Sequence, residues 1–307
     1  MKASGIATAL LLVLATTPAM AAEEEAPVRQ AVRTEAWIGS DADGNETQKY
    51  ALGWDFQHRD LEHWKGAKVE YARFSGDGWS ESEQRLYLSG AGDLGQWRWD
   101  ADIGSNGEDL LGNFSVHSRD ARRKEFFVER DVLETRRGTE QDLVQTFAGA
   151  AIDLPMGDRW SASVLAGAQD FGSGDNLRTH LRGNLVYAIA PEQGISVQLR
   201  TRYYRNSEAF EGDYYSPPWY GEALGILAWR RYVGGYQWSA KAGWGRQRSS
   251  EENWKRARMV EFGVETPRWK NAWLRLDAGY TDTPVLTDTG TGSYAYRYLR
   301  LQALVAF

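Results

Sequence analysis

From about residue 31 onward, apolar and polar residues alternate along this chain. Tyr50, Leu52, Trp54 and Phe56 fall on one side of an extended segment, against Lys49, Ala51, Gly53 and Asp55. Trp97, Trp99, Ala101 and Ile103 oppose Arg98, Asp100, Asp102 and Gly104. Ile195, Val197 and Leu199 oppose Ser196, Gln198, Arg200 and Arg202, and Trp238, Ala240, Ala242 and Trp244 oppose Ser239, Lys241 and Gly243. Leu274, Leu276, Ala278 and Tyr280 likewise face away from Arg275, Asp277 and Gly279. The last residues keep the pattern, with Leu299, Leu301, Ala303, Val305 and Phe307 on one side and Arg300 and Gln302 on the other. A period of two is that of a β-strand with one apolar face.

The connections add a second rhythm. Turn signals stand at 41–46, 58–66, 75–80, 90–95, 104–109, 118–123 and 133–140. Beyond them, short turns (155–158, 191–194, 233–235, 267–271) alternate with longer polar stretches (171–176, 206–217, 248–255, 282–293). Short connections at one rim and long ones at the other, between about sixteen alternating segments, describe a transmembrane β-barrel. The predicted fold is therefore all-β, an antiparallel up-and-down barrel over residues 31–307. Its last strand pairs with the first near Val32 to Ile38, which removes both free edges. An even strand number puts both termini on one side, expected to be the periplasm. A two-sheet sandwich or a propeller also alternates. The sandwich does not need this rhythm, and the propeller needs a repeat of roughly 40–50 residues that the chain lacks. One segment strains the pattern: in "KEFFVERDVLE" (124–134), Arg130 shares a side with Phe126, Val128 and Val132. A lipid-facing Arg at mid-bilayer costs roughly 2–4 kcal/mol, so it must lie near a rim or the register must shift.

Composition agrees with strands. The chain has 14 Trp, 15 Tyr, 10 Phe and 32 Gly but only 8 Pro. At the N-terminus, Lys2, the apolar run at 6–15 and Ala19-Met20-Ala21 read as a secretory signal peptide over 1–21, followed by a periplasmic lead-in over 22–30. The expected location is the outer membrane of a Gram-negative bacterium. The absence of cysteine excludes thiol catalysis and thiolate-bound metals. A net charge of −6 argues against nucleic acid as a partner.

Candidate chemistry is sparse. His117 and Ser118 are adjacent in an extended segment and point to opposite sides, so they cannot pair as base and nucleophile. His58 and His63 flank a charged turn, and His180 completes the set. "DADGN" (41–45) lacks the Gly at 46 and Glu at 52 of a calcium loop, having Glu46 and Leu52. No metal, cofactor or catalytic constellation is expected. The informative residues are the inward ones, among them Arg98, Asp100, Asp102, Arg200, Arg202, Arg275 and Asp277, which suit either a packed plug or a wet pore. The other is "GDYYSPPWYGE" (212–222), where Tyr214, Tyr215, Trp219 and Tyr220 surround Pro217 and Pro218. Such aromatics are good surfaces for sugar rings, or else an interfacial girdle or a folded-in loop.

Four stretches, "ERDVLETRRG" (129–138), "GSGDNLR" (172–178), "YAIAPEQGISVQLRTRYY" (187–204) and "YYSPPWY" (214–220), together resemble the C-terminal barrels of exopolysaccharide-export proteins of the BcsC, PgaA and NfrA type. The resemblance spans roughly residues 125 to 307. It implies a pore that passes a growing glycan outward, with Asp175, Asn176 and Arg178 at one loop and Tyr214, Pro217 and Tyr220 at another. Those relatives carry a periplasmic helical-repeat region ahead of the barrel. Here a separate periplasmic helical-repeat scaffold and a glycan synthase are the implied partners, beside outer-membrane lipid and the barrel-insertion machinery. Phe307 resembles the C-terminal aromatic that the insertion machinery reads. The expected function is non-enzymatic exopolysaccharide export. The alternatives are a small-solute porin, a phage-adsorption-like surface receptor or, further off, an outer-membrane lipid hydrolase.

Overall fold

The computed structural model describes residues 27–283 and 295–307, apart from 173, 268 and 270. The predicted signal peptide, most of the lead-in and most of the 282–293 loop lie outside these residues. Sixteen strands form one closed antiparallel barrel in which each strand pairs with its neighbours in sequence and the last with the first. They are β1 (Arg29–Asp41), β2 (Glu46–His58), β3 (Trp64–Gly76), β4 (Trp79–Leu94), β5 (Trp97–Ser105), β6 (Leu110–Ser118), β7 (Lys124–Val132) and β8 (Val144–Met156). The circuit continues through β9 (Trp160–Asp170), β10 (Leu177–Ala190), β11 (Ile195–Asn206), β12 (Trp219–Val233), β13 (Tyr236–Ser249), β14 (Lys255–Glu265), β15 (Ala272–Thr281) and β16 (Tyr296–Ala306). The strand number and the order match the sequence reading. The first strand starts two residues earlier than the predicted boundary, at Arg29.

The seam is in register from Ala31 opposite Ala306 to Asp41 opposite Tyr296. It is extended by a bond from the Gln30 amide to the Phe307 carbonyl at 3.2 Å and a return bond at 2.8 Å. The Val32–Ile38 partnership expected for the terminal strand is thus present, and no edge is left to recruit another chain.

The pleat sorts side chains as the alternation requires. Leu52, Trp54, Leu86, Leu199, Leu227, Val260 and Leu301 stand exposed on the outer wall, and Leu88 reaches 70% exposure. A monomer in water rarely carries so continuous an apolar surface, whereas hydrocarbon covers it without penalty. Around the end bearing the termini, outward rings cluster: Trp160 lies 4.7 Å from Tyr187, and Trp97 6.2 Å from Phe126. Tyr236 and Trp269, at 6.3 Å, continue this terminal-end girdle. Tyr and Trp suit that level because the ring is apolar and its polar tip stays wet.

Turns at the terminal end are tight. Pro191–Gln193 form a single 3-10 turn closed by Gly194, whose φ of 73° is left-handed. A Cβ there would lie 1.7 Å from the Arg230 carbonyl, so only glycine fits. The far end is different. The turn expected over 133–140 is instead part of a strap, residues 133–143, containing helix α1 (Arg136–Glu140) with Thr135 as its N-cap.

The place of Arg130 at the far rim accounts for the anomaly seen in the sequence. Arg130 is paired at the far rim, donating to the Leu110 carbonyl at 2.9 Å and to Thr146 Oγ1 at 3.0 Å, with Asp109 at 3.7 Å. Val132 does not share the outer face with Phe126 and Val128. It is buried among Tyr87, Leu111 and Val144, because the strand end bends inward to begin the strap. Of the two remedies foreseen for this segment, the rim position is the one present; β7 pairs with β8 in unbroken register from Lys124 opposite Ile152 to Val132 opposite Val144.

Candidate functional site

The inner wall surrounds a cavity of about 980 Å³ that extends from Arg230 and Trp273 near the terminal end to Arg178 and Thr283 near the far end. Charged and amide side chains recur along its lining, among aromatic and aliphatic ones, and the charges are sorted by sector. On the closing side, ions are matched across neighbouring strands, Arg300 with Glu35 at 2.9 Å and Lys241 with Glu261 at 2.8 Å, and within β15, Arg275 with Asp277 at 2.8 Å. Acidic groups collect on β5, where Asp102 meets Lys68 at 2.8 Å and Asp100 accepts from the Ser115 hydroxyl. On β10 and β11 the balance reverses. Arg182, Arg200 and Arg202 face the cavity, and Glu222 is the carboxylate in contact with two of them, at 3.4 Å from Arg200 and 2.9 Å from Arg202.

The far mouth is narrowed from within. Lys49 on β2 reaches Asp131 at 3.0 Å and Glu134 at 2.6 Å, five strands away along the wall. Arg85 on β4 pairs with Glu70 and Asp131, each at 3.0 Å, and with Glu83. These buried ions hold the root of the strap against β2–β4. Its outer part is latched to the β11–β12 loop, since Asp213 accepts from Thr135 Oγ1 at 2.6 Å and from the Arg137 amide at 2.7 Å. Leu133, Phe171 and Tyr214 pack together beneath this latch.

The loop residues singled out in the sequence come together here, in supporting positions. Arg178 is buried, donating to Asn206 Oδ1 at 2.8 Å and to the Tyr215 carbonyl at 2.5 Å. Its guanidinium lies over the rings of Phe171 at 4.6 Å and Tyr204 at 4.5 Å. Asn176 donates to the Tyr214 hydroxyl at 2.8 Å and accepts from the Glu208 amide, while Asp175 offers its carbonyl to Ser207 Oγ. Tyr214 stacks on Phe171 at 4.0 Å, and Tyr220 stacks on Tyr204 at 5.0 Å. Tyr214 and Tyr220 are therefore folded in, the second of the readings open for this stretch, and their faces are not offered to a sugar. Burial pushes the Tyr214 hydroxyl above its ordinary value, against the Asn176 hydrogen bond, which favours ionisation. Tyr215 stands edge-on to Tyr220, and Trp219 lies beneath the Arg248 guanidinium at 5.7 Å.

At the terminal end Arg98 braces a turn, pairing with Asp93 at 2.9 Å and Glu62 at 2.6 Å. His63 lies between two carboxylates, with Nδ1 3.0 Å from Asp60 and Nε2 3.2 Å from Asp93. Partial burial works against its charge, but the two carboxylates prevail and raise its pKa above the usual 6.5. The remaining histidines serve the wall: His58 meets Asp55 at 3.1 Å and His180 meets Gln169 at 3.1 Å. Ser118 accepts from the Lys124 amide and turns away from His117. Among the described residues no serine or threonine hydroxyl is within hydrogen-bond distance of a histidine, and no cluster of metal-ligating side chains occurs. The Asp41 carboxylate is spent on its own turn, accepting from the Asp43 and Asn45 amides at 2.9 Å each.

Sequence reading missed Lys49 and Asp131 as partners, together with Arg85, Glu222 and Arg182. Arg178, His180 and Arg182 stand at i, i+2 and i+4 against Leu177, Thr179 and Leu181, so the period of two was available to place them inward.

No protein-family model matches the sequence, and no curated protein does. Among solved structures, the barrel is similar to one described as a bacterial polysaccharide outer membrane secretin, with a TM-score of 0.66 and 13% identity over 91% of this chain and 98% of that one. Looser likenesses are to OprD of Pseudomonas aeruginosa (TM-score 0.47, 8% identity, 91% and 95% covered) and to OccK10 of the same bacterium (0.46, 12%, 91% and 99%). At such identities the likeness is one of fold, and the fold is that of an outer-membrane β-barrel.

Proposed function

We propose that this barrel is an outer-membrane conduit through which an exopolysaccharide leaves the periplasm, with both termini on the periplasmic side and no catalysis of its own. The observation that carries the reading is the lumen: a long cavity along which guanidinium, carboxylate and amide groups recur, inside a wall that is apolar outward. A hydrated glycan needs such side-chain donors and acceptors along its whole path, because each unsatisfied hydroxyl in a dry passage is a penalty. The fold shared with a polysaccharide outer membrane secretin fits this reading, as does the resemblance of residues 125 to 307 to exporter barrels. A periplasmic helical-repeat scaffold and a glycan synthase would supply the polymer, and Phe307 would be read during insertion. Deleting the gene in its own bacterium is expected to abolish surface polymer while polymer accumulates inside. Unchanged surface polymer would refute the proposal.

A second reading, a small-solute porin, draws on the strap at the far mouth, which narrows the lumen in the way a size filter does. An ohmic conductance in planar bilayers that oligosaccharides leave unchanged would favour it.

A further inference from the structure

On the wall formed by β10 and β11, arginines stand where the register alone would forbid them. Arg182 lies directly opposite Arg202, and Arg200 two pairs along on the same face, opposite Asn184. Like charges in facing positions repel, and the effect is worst where water is scarce. Glu222, opposite Arg202 on β12, answers part of the charge. Its side chain is only 1% exposed, it contacts both Arg200 and Arg202, and it also accepts from the Tyr220 hydroxyl at 3.0 Å. Glu222 thus serves Arg200 and Arg202 together, and Arg182 lies outside its reach. Arg178, further along the same strand, is of another kind, saturated by Asn206, the Tyr215 carbonyl and two rings.

Arg182 is the one left over. Among the described residues no carboxylate comes within ion-pair distance of it, and its Nε is shielded from solvent without a hydrogen-bond partner. Glu129 on β7 acts on it through space, without such contact. Beside it, Asn184 Oδ1 is also shielded and unpartnered, while Asn184 Nδ2 donates to Gln198 at 3.3 Å. All of these side chains line the cavity. An unpartnered guanidinium edge next to an unpartnered amide oxygen matches a ligand carrying a carboxylate next to a hydroxyl. The guanidinium fork takes the carboxylate in two parallel bonds, and the amide accepts from the hydroxyl.

We infer that Arg182, Arg200 and Arg202, with Asn184, form a carboxylate-binding station in the lumen whose ligand is a uronate-type sugar unit. The inference rests on reading the lumen as a glycan path and names the class of glycan. The same chemistry also fits a free sugar acid, and the test separates the two.

The test uses the full barrel, purified in detergent, in titration calorimetry with galacturonate hexamer, galacturonate monomer and neutral maltohexaose. The hexamer is expected to bind, more weakly as salt rises, while maltohexaose does not. Arg182→Gln is expected to weaken hexamer binding by about tenfold or more, and Arg182→Lys by less, since charge survives but the fork does not. Arg73→Gln, on the exposed side of β3 where it donates to Ser80 Oγ at 3.1 Å, is the control and leaves affinity unchanged. Removing Arg182 relieves repulsion, so the variant is expected to fold; retention of the compact form on unheated gels checks this. A hexamer that outbinds the monomer assigns the station to a polymer, and equal affinities assign it to a free sugar acid. Absence of hexamer binding to the wild type, equal binding of maltohexaose, or an Arg182→Gln variant of unchanged affinity each overturns the station. Loss of surface polymer on gene deletion, together with no uronate binding, would refute this inference alone. Uronate binding with normal surface polymer in the deletion strain would refute export alone.

Discussion

Replacing Lys49 by Met tests whether ions hold the strap over the far mouth. The ammonium reaches two carboxylates, Asp131 at 3.0 Å and Glu134 at 2.6 Å, and the side chains of Lys49 and Glu134 are 6% and 9% exposed. Breaking a buried pair by deleting one partner costs about 3–5 kcal/mol, mostly because the other charge stays behind without water. Asp131 keeps Arg85, so the lower end, about 3 kcal/mol, is the figure for this site. At about 1.4 kcal/mol per factor of ten, docking of the strap weakens roughly a hundredfold. The ladder of β2 involves no part of the lysine side chain, so the barrel itself is expected to survive. Hydrogen exchange followed by mass spectrometry reads the effect directly. The amides of Leu133, Thr139, Gln141 and Leu143 are bonded within the strap and exchange when it opens. Their exchange is expected to quicken by up to about a hundredfold in Lys49→Met, with β2 unchanged. Lys241→Met, which breaks the Glu261 pair on another sector, should leave the strap as it was. If the Lys49→Met strap exchanges at the wild-type rate, the ions are ornament and the apolar contacts of Leu133 hold it.

Two further outcomes concern the rims. Thr135→Ala removes the N-cap of α1, which accepts from Gly138 at 3.0 Å, and the hydroxyl bond to Asp213; a loss of about 1–2 kcal/mol is expected. Trypsin should then cleave faster at Arg136 and Arg137 in the folded protein, and an unaltered rate would show that the latch carries nothing. At the terminal end, the His63 pKa is raised in the fold, so protonated His63 stabilises the β2–β3 turn below the ordinary value of 6.5, and the contribution fades as pH rises through the folded value. The difference in urea midpoint between wild type and His63→Gln should therefore be greatest on the acid side and vanish in alkali, and a difference that grows with pH would contradict the assignment.

The wall was legible because a strand with lipid on one side and water on the other admits only one alternation. Tyr50 to Phe56 against Lys49 to Asp55 is enough to orient β2. The strap was hidden for the converse reason. Its root depends on Lys49 meeting Glu134, eighty-five positions along the chain, and nothing in the period of two links residues across a lumen. Val132 misled because it continues the apolar row of Phe126 and Val128 after the strand has begun to bend inward. The aromatic loop shows a different limit. Composition marks Tyr214 and Tyr220 as ring surfaces, but whether Phe171 and Tyr204 already cover those surfaces depends on how two loops meet and on the pairing of β11 with β12.

The seam between β1 and β16 has a consequence for how the protein reaches this form. Every other ladder joins strands adjacent in sequence and can grow as a local hairpin. Only the seam brings together groups such as Arg300 and Glu35, 265 positions apart. Loop closure over that distance cannot be rewarded until the preceding strands have curved into place, so the long-range step comes late and governs the pace of assembly. The two partners of that step are interchangeable with any other neighbouring pair in geometry. What makes them the last to meet is where the chain is cut, not where the barrel is weak.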